Sequence, residues 1–205
     1  MEVFSKEMAE TLPPHWSTTH PFDCEPSCNL PYGWIYNQFE LELRTKKANI
    51  MGNQTHGFIL RLSLVTAAPI VFAQKKDGRL RLPVHHRALN LATVKNWYAH
   101  PFISELFDHV CVGRTFTKLH LHVPYNLILT KDGDKYTMAF RTCYGKFEHR
   151  VMPLGLTNAP ATSQSDTDVC LGPDIDDFVV CYLHKMVIYS ANTTDCTEHE
   201  RQMLQ

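Results

Sequence analysis

The sequence predicts an α+β fold in which short antiparallel hairpins alternate with helices. Residues 178–189 give the clearest hairpin signal, because two apolar runs bracket the polar pair His184-Lys185. Residues 100–113 predict a helix, because apolar side chains recur there every three or four positions. These side chains are Phe102, Ile103, Leu106, Phe107 and Val110. The 205-residue chain is 44% hydrophobic and 20% charged, a composition that favours a folded core over disorder.

Residues 1–50 are predicted to form a proline-rich N-terminal arm or linker, and residues 51–205 the folded domain. Proline is dense over residues 1–36, and at that density it disfavours the interiors of both helices and sheets. A short helix is expected over residues 39–48, at the end of the arm.

The remaining elements follow from alternation and turn residues. Strands are predicted over 67–73 and 80–84, joined as a hairpin by the turn Lys76-Asp-Gly-Arg79. A strand is expected over 115–121, where Phe116, Leu119 and Leu121 supply the apolar positions. Two further elements are expected along the chain: a hairpin over 138–152 around Cys143-Tyr-Gly-Lys146, and a helix from Asn158 to about Leu171.

Charge is unevenly distributed along a chain whose net charge is −1. Residues 73–100 carry six basic side chains and one acidic side chain, a net charge of +5. Residues 166–205 carry eight acidic and two basic side chains, a net charge of −6. We therefore expect any anion-binding surface to lie in the first half of the chain.

Targeting signals and cysteine usage indicate an intracellular setting, cytoplasmic or nuclear. No run of 18 apolar residues predicts a membrane span, and the N-terminus lacks the basic and apolar regions of a secretory signal. The seven cysteines are scattered and odd in number, which favours reduced thiols over a disulfide framework.

Four stretches carry a more specific signal. They are Ala68-Pro-Ile-Val-Phe72, Arg87-Ala-Leu-Asn90, Ala139-Phe-Arg-Thr142 and Val151-Met-Pro-Leu-Gly-Leu-Thr-Asn-Ala-Pro-Ala-Thr162. In this order and spacing, together with the Tyr182-Leu183 hairpin, they resemble the reverse transcriptases of Ty3/gypsy-type long-terminal-repeat retrotransposons. The resemblance covers most of residues 4–204. It implies fingers and palm regions made of antiparallel hairpins with packed helices, and a truncated chain from which the thumb and the RNase H domain are absent.

The resemblance also implies that the catalytic carboxylates are gone. In this family, magnesium-binding aspartates follow the Thr117-Lys-Leu119 strand and the Tyr182-Leu183 pair. Here those three positions are His120, His184 and Lys185. Magnesium prefers oxygen ligands, and a protonated ammonium group cannot act as a ligand. The sequence therefore predicts a degenerate copy with no intact catalytic residue and no cofactor, where active relatives use Mg²⁺.

Four positions match residues that contact the nucleotide in relatives, and they are predicted to be vestigial. They are Lys75, Arg81, Tyr125 and Gly155. An alternative explanation needs no ligand: Lys75 and Arg81 are then solvated charges of a hairpin, and Tyr125 and Gly155 serve packing.

Three functional alternatives remain open at this point. The first is a catalytically inactive, retrotransposon-derived reverse transcriptase-like protein. The second is residual RNA-directed DNA polymerase activity with magnesium. The third is a module that binds RNA or DNA weakly through the basic fingers hairpin. We also expect no membrane association, and we consider a protein partner over the exposed palm surface.

The histidines at the lost carboxylate positions allow one chemical alternative. His120 and His184 are expected on neighbouring strands, and His122 shares a strand face with His120. Side-by-side imidazoles are ligands for zinc or copper. Neutral, half-buried histidines without a metal are the simpler explanation, and no metal site is expected.

Overall fold

The computed structural model describes residues 11–14, 19–25, 32–63, 67–74, 78 and 80–203. The chain divides into two compact units, each with its own core. The described residues of unit 1 are 96–124 and 160–203. Unit 2 consists of the described residues of 6–95 together with 125–159. Lys75 and the predicted turn residues Lys76, Asp77 and Arg79 lie outside the described residues.

Helices and short strands alternate along the chain. The helices are α1 (Glu40–Thr55), α2 (Arg87–Ala92), α3 (Ile103–Val110), α4 (Ala159–Leu171) and α5 (Thr193–Met203). The strands are β1 (Ile59–Arg61), β2 (Ala68–Pro69), β3 (Ala73–Gln74), β4 (Leu80–Arg81), β5 (Thr115–His120), β6 (Phe140–Thr142), β7 (Gly145–His149), β8 (Val179–Tyr182) and β9 (Lys185–Ser190). Short 3-10 helices cover Pro124–Leu127, Lys135–Met138 and Gly172–Asp174. In the described part of the chain, no helix has the length and apolar character needed to cross a membrane.

Helix α1 is longer than the sequence predicts. It continues to Thr55 and so runs across residue 50, where the predicted arm ends. Its N-terminus is closed by Glu42, whose carboxylate accepts a hydrogen bond from the Phe39 N–H at 2.8 Å. The division into an arm and a domain stays a prediction.

Unit 2 is built on a four-stranded sheet of order β1-β7-β6-β2 and a separate β3-β4 pair. The antiparallel hairpin predicted over residues 67–84 is present as the β3-β4 pair and an isolated bridge between Ile70 and Val84, and β2 also pairs in parallel with β6. Pro69 and Pro83 have no N–H to donate to a ladder, although their carbonyls accept bonds from His85 and Val71 at 2.8 and 3.0 Å. Hydrogen bonds between residues 69–71 and 83–85 thus extend the antiparallel pairing beyond β3 and β4.

Two buried histidines should make unit 2 sensitive to acid. His20 and His86 are almost fully buried, and burial lowers the pKa of each from 6.5 to about 4. The unfolded chain therefore binds more protons than the folded chain below pH 6.5. The free energy of unfolding should fall as the pH drops from 6.5 to 4.5, by on the order of 2 kcal/mol per histidine.

Urea unfolding followed by circular dichroism across this pH range would measure the effect. His86→Gln, which stays neutral, should reduce the pH dependence, whereas His100→Gln at an exposed position should leave it unchanged. An unfolding free energy that is constant from pH 7 to 4.5 would contradict this assignment.

Unit 1 is built on a three-stranded antiparallel sheet of order β5-β9-β8. One face of the sheet packs on a core made of Leu171, Phe178, Val179, Cys181, Met186 and Ile188. Strand β5 alternates between half-buried and exposed positions, with Leu119 on the half-buried side as the sequence predicts. Phe116 lies on the exposed face of that alternation, together with Lys118 and His120, and is 51% exposed. The register places His120 directly opposite Lys185.

Candidate functional site

The β8-β9 hairpin carries two of the three predicted site residues at its tip. Tyr182 pairs with Lys185, so the loop consists of Leu183 and His184, and Lys185 is the first residue of β9. The sequence predicts the turn one residue later, at His184-Lys185. Leu183 has a φ of 57°, and a positive φ in a two-residue loop matches the twist of the flanking strands.

Strand β5 brings His120 next to this loop. His120 is the last residue of β5, and the following residue, Leu121, donates its N–H to the carbonyl of His184 at 3.0 Å. The two imidazole rings meet edge to face, with centroids 4.9 Å apart and an interplanar angle of 74°. His120 is exposed and His184 is half-buried. The structure thus places both imidazoles in contact at the end of the sheet.

Lys185 adds a positive charge beside this pair. It lies directly opposite His120 in the β5-β9 ladder, and opposite residues of an antiparallel pair project from the same face. Its side chain is exposed. The pKa of His184 is lowered by burial, by His120 and by Lys185. The surroundings of His184 thus disfavour its protonated form.

These three residues do not fit magnesium. The ion requires near-octahedral oxygen coordination, whereas the side chains here offer two imidazoles and an ammonium group. The Nδ1 atom of His184 is buried and has no hydrogen-bond partner in the described structure. Across the described ranges, no group of three or more His, Cys, Asp or Glu side chains is placed to hold a metal ion.

Gln164 holds the hairpin loop in place from helix α4. Its side chain is 1% exposed, and its Oε1 accepts the N–H of Leu183 at 2.6 Å. Its Nε2 donates to Asp168 at 2.7 Å, one helical turn further along α4. The hydroxyl of Tyr98 donates to the other carboxylate oxygen of Asp168 at 2.7 Å, which raises the pKa of Tyr98. A chain of hydrogen bonds therefore fixes the loop without any catalytic carboxylate.

The sequence pattern does not predict that Tyr98 and Asp168 take part in holding the hairpin loop. The i, i+4 spacing of Gln164 and Asp168 on a predicted helix was a signal, because polar side chains at that spacing face each other. The contact with Tyr98 spans 70 residues of sequence, and local pattern gives no sign of it.

A cleft of about 440 Å³ lies in unit 1. It is lined by residues 99–102, by Glu105 and Leu106 of α3, and by Asp168, Ile175, Asp176 and Cys181. His120, His184 and Lys185 are not among its lining residues. This cleft is thus separate from the pair formed by His120 and His184.

Three of the four predicted nucleotide-contact residues, Arg81, Tyr125 and Gly155, belong to unit 2. Lys75 lies outside the described residues, and Arg81 is exposed in β4. Tyr125 is half-buried and packs against the core that contains Leu89 and Met152; burial raises its pKa. These contacts are consistent with a packing role for Tyr125.

Gly155 occupies a position that requires glycine. Its φ is 96°, a left-handed conformation that other residues rarely adopt. Its carbonyl accepts a hydrogen bond from the Asn90 amide at 2.7 Å, and the Asn90 Oδ1 accepts the N–H of Thr157 at 3.0 Å. The turn conformation therefore explains the glycine at position 155, and the two hydrogen bonds of the Asn90 side chain stabilise that turn.

Comparison with known proteins identifies relatives among transposon polyproteins. No family model matches the chain. The Transposon Tf2-3 and Tf2-7 polyproteins of Schizosaccharomyces pombe are each 36% identical to it over 149 residues. These residues make up 73% of this chain, which spans 11% of the length of each polyprotein.

A solved structure shows the same fold. Prototype foamy virus protease-reverse transcriptase matches 95% of this chain and 27% of its own chain, with a TM-score of 0.76 and 17% sequence identity. The order of hairpins and helices described above is therefore shared with that protein. At this level of identity, the match concerns the fold.

Proposed function

This chain is a reverse transcriptase-like region of the Ty3/gypsy retrotransposon type, and on that premise we propose that it has lost the nucleotidyl-transfer chemistry of its family. The observation that carries the proposal is the identity of the residues at the tip of the β5-β9-β8 sheet. His120 and His184 are in ring contact there, and Lys185 lies opposite His120. None of the three can supply a carboxylate oxygen.

The chemistry of nucleotide addition explains why this matters. Metal-assisted transfer uses two divalent ions roughly 3.5–4 Å apart, which stabilise the attacking and leaving oxygens. Anionic oxygen ligands are needed to hold two dications so close together. At this tip the only permanent charge among the three residues is the positive charge of Lys185.

The electrostatic penalty is substantial. Two unit charges about 4 Å apart near a protein surface interact by about 4 kcal/mol, and a dication doubles that value. Lys185 therefore repels the ion that three aspartates would attract. The site has lost both the negative charge and the oxygen ligands of three carboxylates. Changing His184 or Lys185 alone back to Asp therefore does not restore it.

Primer extension tests the proposal. Purified chain is incubated with an RNA template, an annealed DNA primer, deoxynucleotides and either Mg²⁺ or Mn²⁺, beside an active reverse transcriptase. We expect extension only with the active enzyme. Template-dependent extension by this chain, absent from a preparation of the His120→Ala variant, would overturn the proposal.

A further inference from the structure

We propose that His120 and His184 form a two-imidazole binding site for borderline first-row divalent cations, with Cu²⁺ bound most tightly. The inference concerns binding alone and goes beyond the proposed loss of polymerase chemistry. It starts from the contact between the two rings, which unit 1 contains entirely.

The ring separation suits a shared ion. A Zn–N bond is about 2.0–2.1 Å, so two imidazoles on one ion at angles between a right angle and the tetrahedral angle place their centroids roughly 4.5–5.2 Å apart. The centroids of His120 and His184 are 4.9 Å apart. The present separation of the rings therefore falls within the range for two imidazoles on one cation, and binding would turn the rings from their edge-to-face orientation.

The backbone under the two rings is held in place. The N–H of Leu121 donates to the carbonyl of His184 at 3.0 Å, which ties the end of β5 to the loop. The N–H of Leu183 donates to the buried Gln164 at 2.6 Å, which ties the loop to α4. Both ligands thus start from fixed positions, and this lowers the entropic cost of binding.

One ring nitrogen of His184 has no competing partner in the described structure. Its Nδ1 is buried and accepts or donates no hydrogen bond within the described structure. A buried polar atom without a partner carries a desolvation cost that a ligand can remove. Neutral imidazole is the form that binds metals, and it suits copper, zinc and nickel better than magnesium.

The site is open and its affinity is expected to be moderate. Two side chains fill two coordination positions, and water fills the others. Lys185 lies on the same face, opposite His120, and opposes any cation there. Removing Lys185 should therefore strengthen binding, a response that scattered surface histidines would not share.

Titration with Cu²⁺, followed by electron paramagnetic resonance and calorimetry, tests the proposal on the full chain. We expect His120→Ala and His184→Ala each to weaken binding at least tenfold and to remove one nitrogen from the copper spectrum. Lys185→Ala should strengthen binding several-fold. The matched control His100→Ala, also exposed in unit 1, should change the affinity less than twofold.

Thermal melts of each variant establish that it folds. Because His120 and Lys185 are both exposed, their removal should leave the melting temperature within a few degrees of wild type. Equal copper affinity in wild type, His120→Ala and Lys185→Ala would overturn the inference and assign the copper to other histidines. Because no polymerase activity is measured, that result would leave the proposed function intact.

Discussion

Replacing Gln164 by Leu should lower the free energy of unfolding by about 3 kcal/mol, the largest expected effect of a single side chain at the hairpin. The leucine side chain is similar in size but has no polar atoms. The N–H of Leu183 and the Oδ1 of Asp168 would both lose their partner in a partly buried setting, and an unsatisfied buried group costs about 1–3 kcal/mol.

Urea unfolding followed by circular dichroism measures the difference between Gln164→Leu and wild type. Gln54→Leu is the matched control, because Gln54 is exposed on α1 and its substitution should change the free energy by less than about 0.5 kcal/mol. If the two substitutions had equal effects, the hydrogen bonds of Gln164 would not be what holds the loop.

Changing His120, His184 and Lys185 together to Asp should create a site for hard cations that the wild-type chain lacks. The formal charge of the three residues, with histidine neutral, changes from +1 to −3, and three carboxylates supply oxygen ligands. We expect Mn²⁺ affinity to rise at least a hundredfold, measured by electron paramagnetic resonance of free Mn²⁺. Each single Asp substitution should gain much less, because two unsuitable ligands remain.

A double variant separates coordination from overall charge. Arg114→Asp with Lys118→Asp shifts the net charge by the same −4, at exposed positions of unit 1 that leave the tip unchanged. This control should bind Mn²⁺ no more than a few times better than wild type. Equal affinity in the control and the triple variant would show that charge alone attracts the ion.

The elements of unit 1 were predictable because their patterns are local. Strand β5 follows its alternation, and helices α3 and α4 lie within the predicted ranges. The loop position was wrong by one residue, because a tertiary hydrogen bond from Leu183 to Gln164 fixes it. The apolar pattern of residues 178–189 cannot predict this hydrogen bond, because Gln164 lies outside that range.

In unit 2, the predicted fingers hairpin is present as short antiparallel pieces, and its pairing with a further strand was not predictable. Strand β2 also pairs in parallel with β6, which lies about seventy residues away in sequence, and local pattern gives no sign of that pairing. The proximity of His120 and His184 followed from family resemblance. Their edge-to-face contact, and the link from Gln164 through Asp168 to Tyr98, depend on side-chain placement that sequence pattern does not specify.

Incorporation of a single nucleotide under single-turnover conditions tests the central claim most directly. The chain is held in excess over a labelled primer–template with one complementary deoxynucleotide and Mn²⁺, so that even one addition per chain is visible. The loss of all three carboxylates predicts no extended primer above a protein-free control. Extended primer that increases with chain concentration, and that requires the complementary nucleotide, would contradict it.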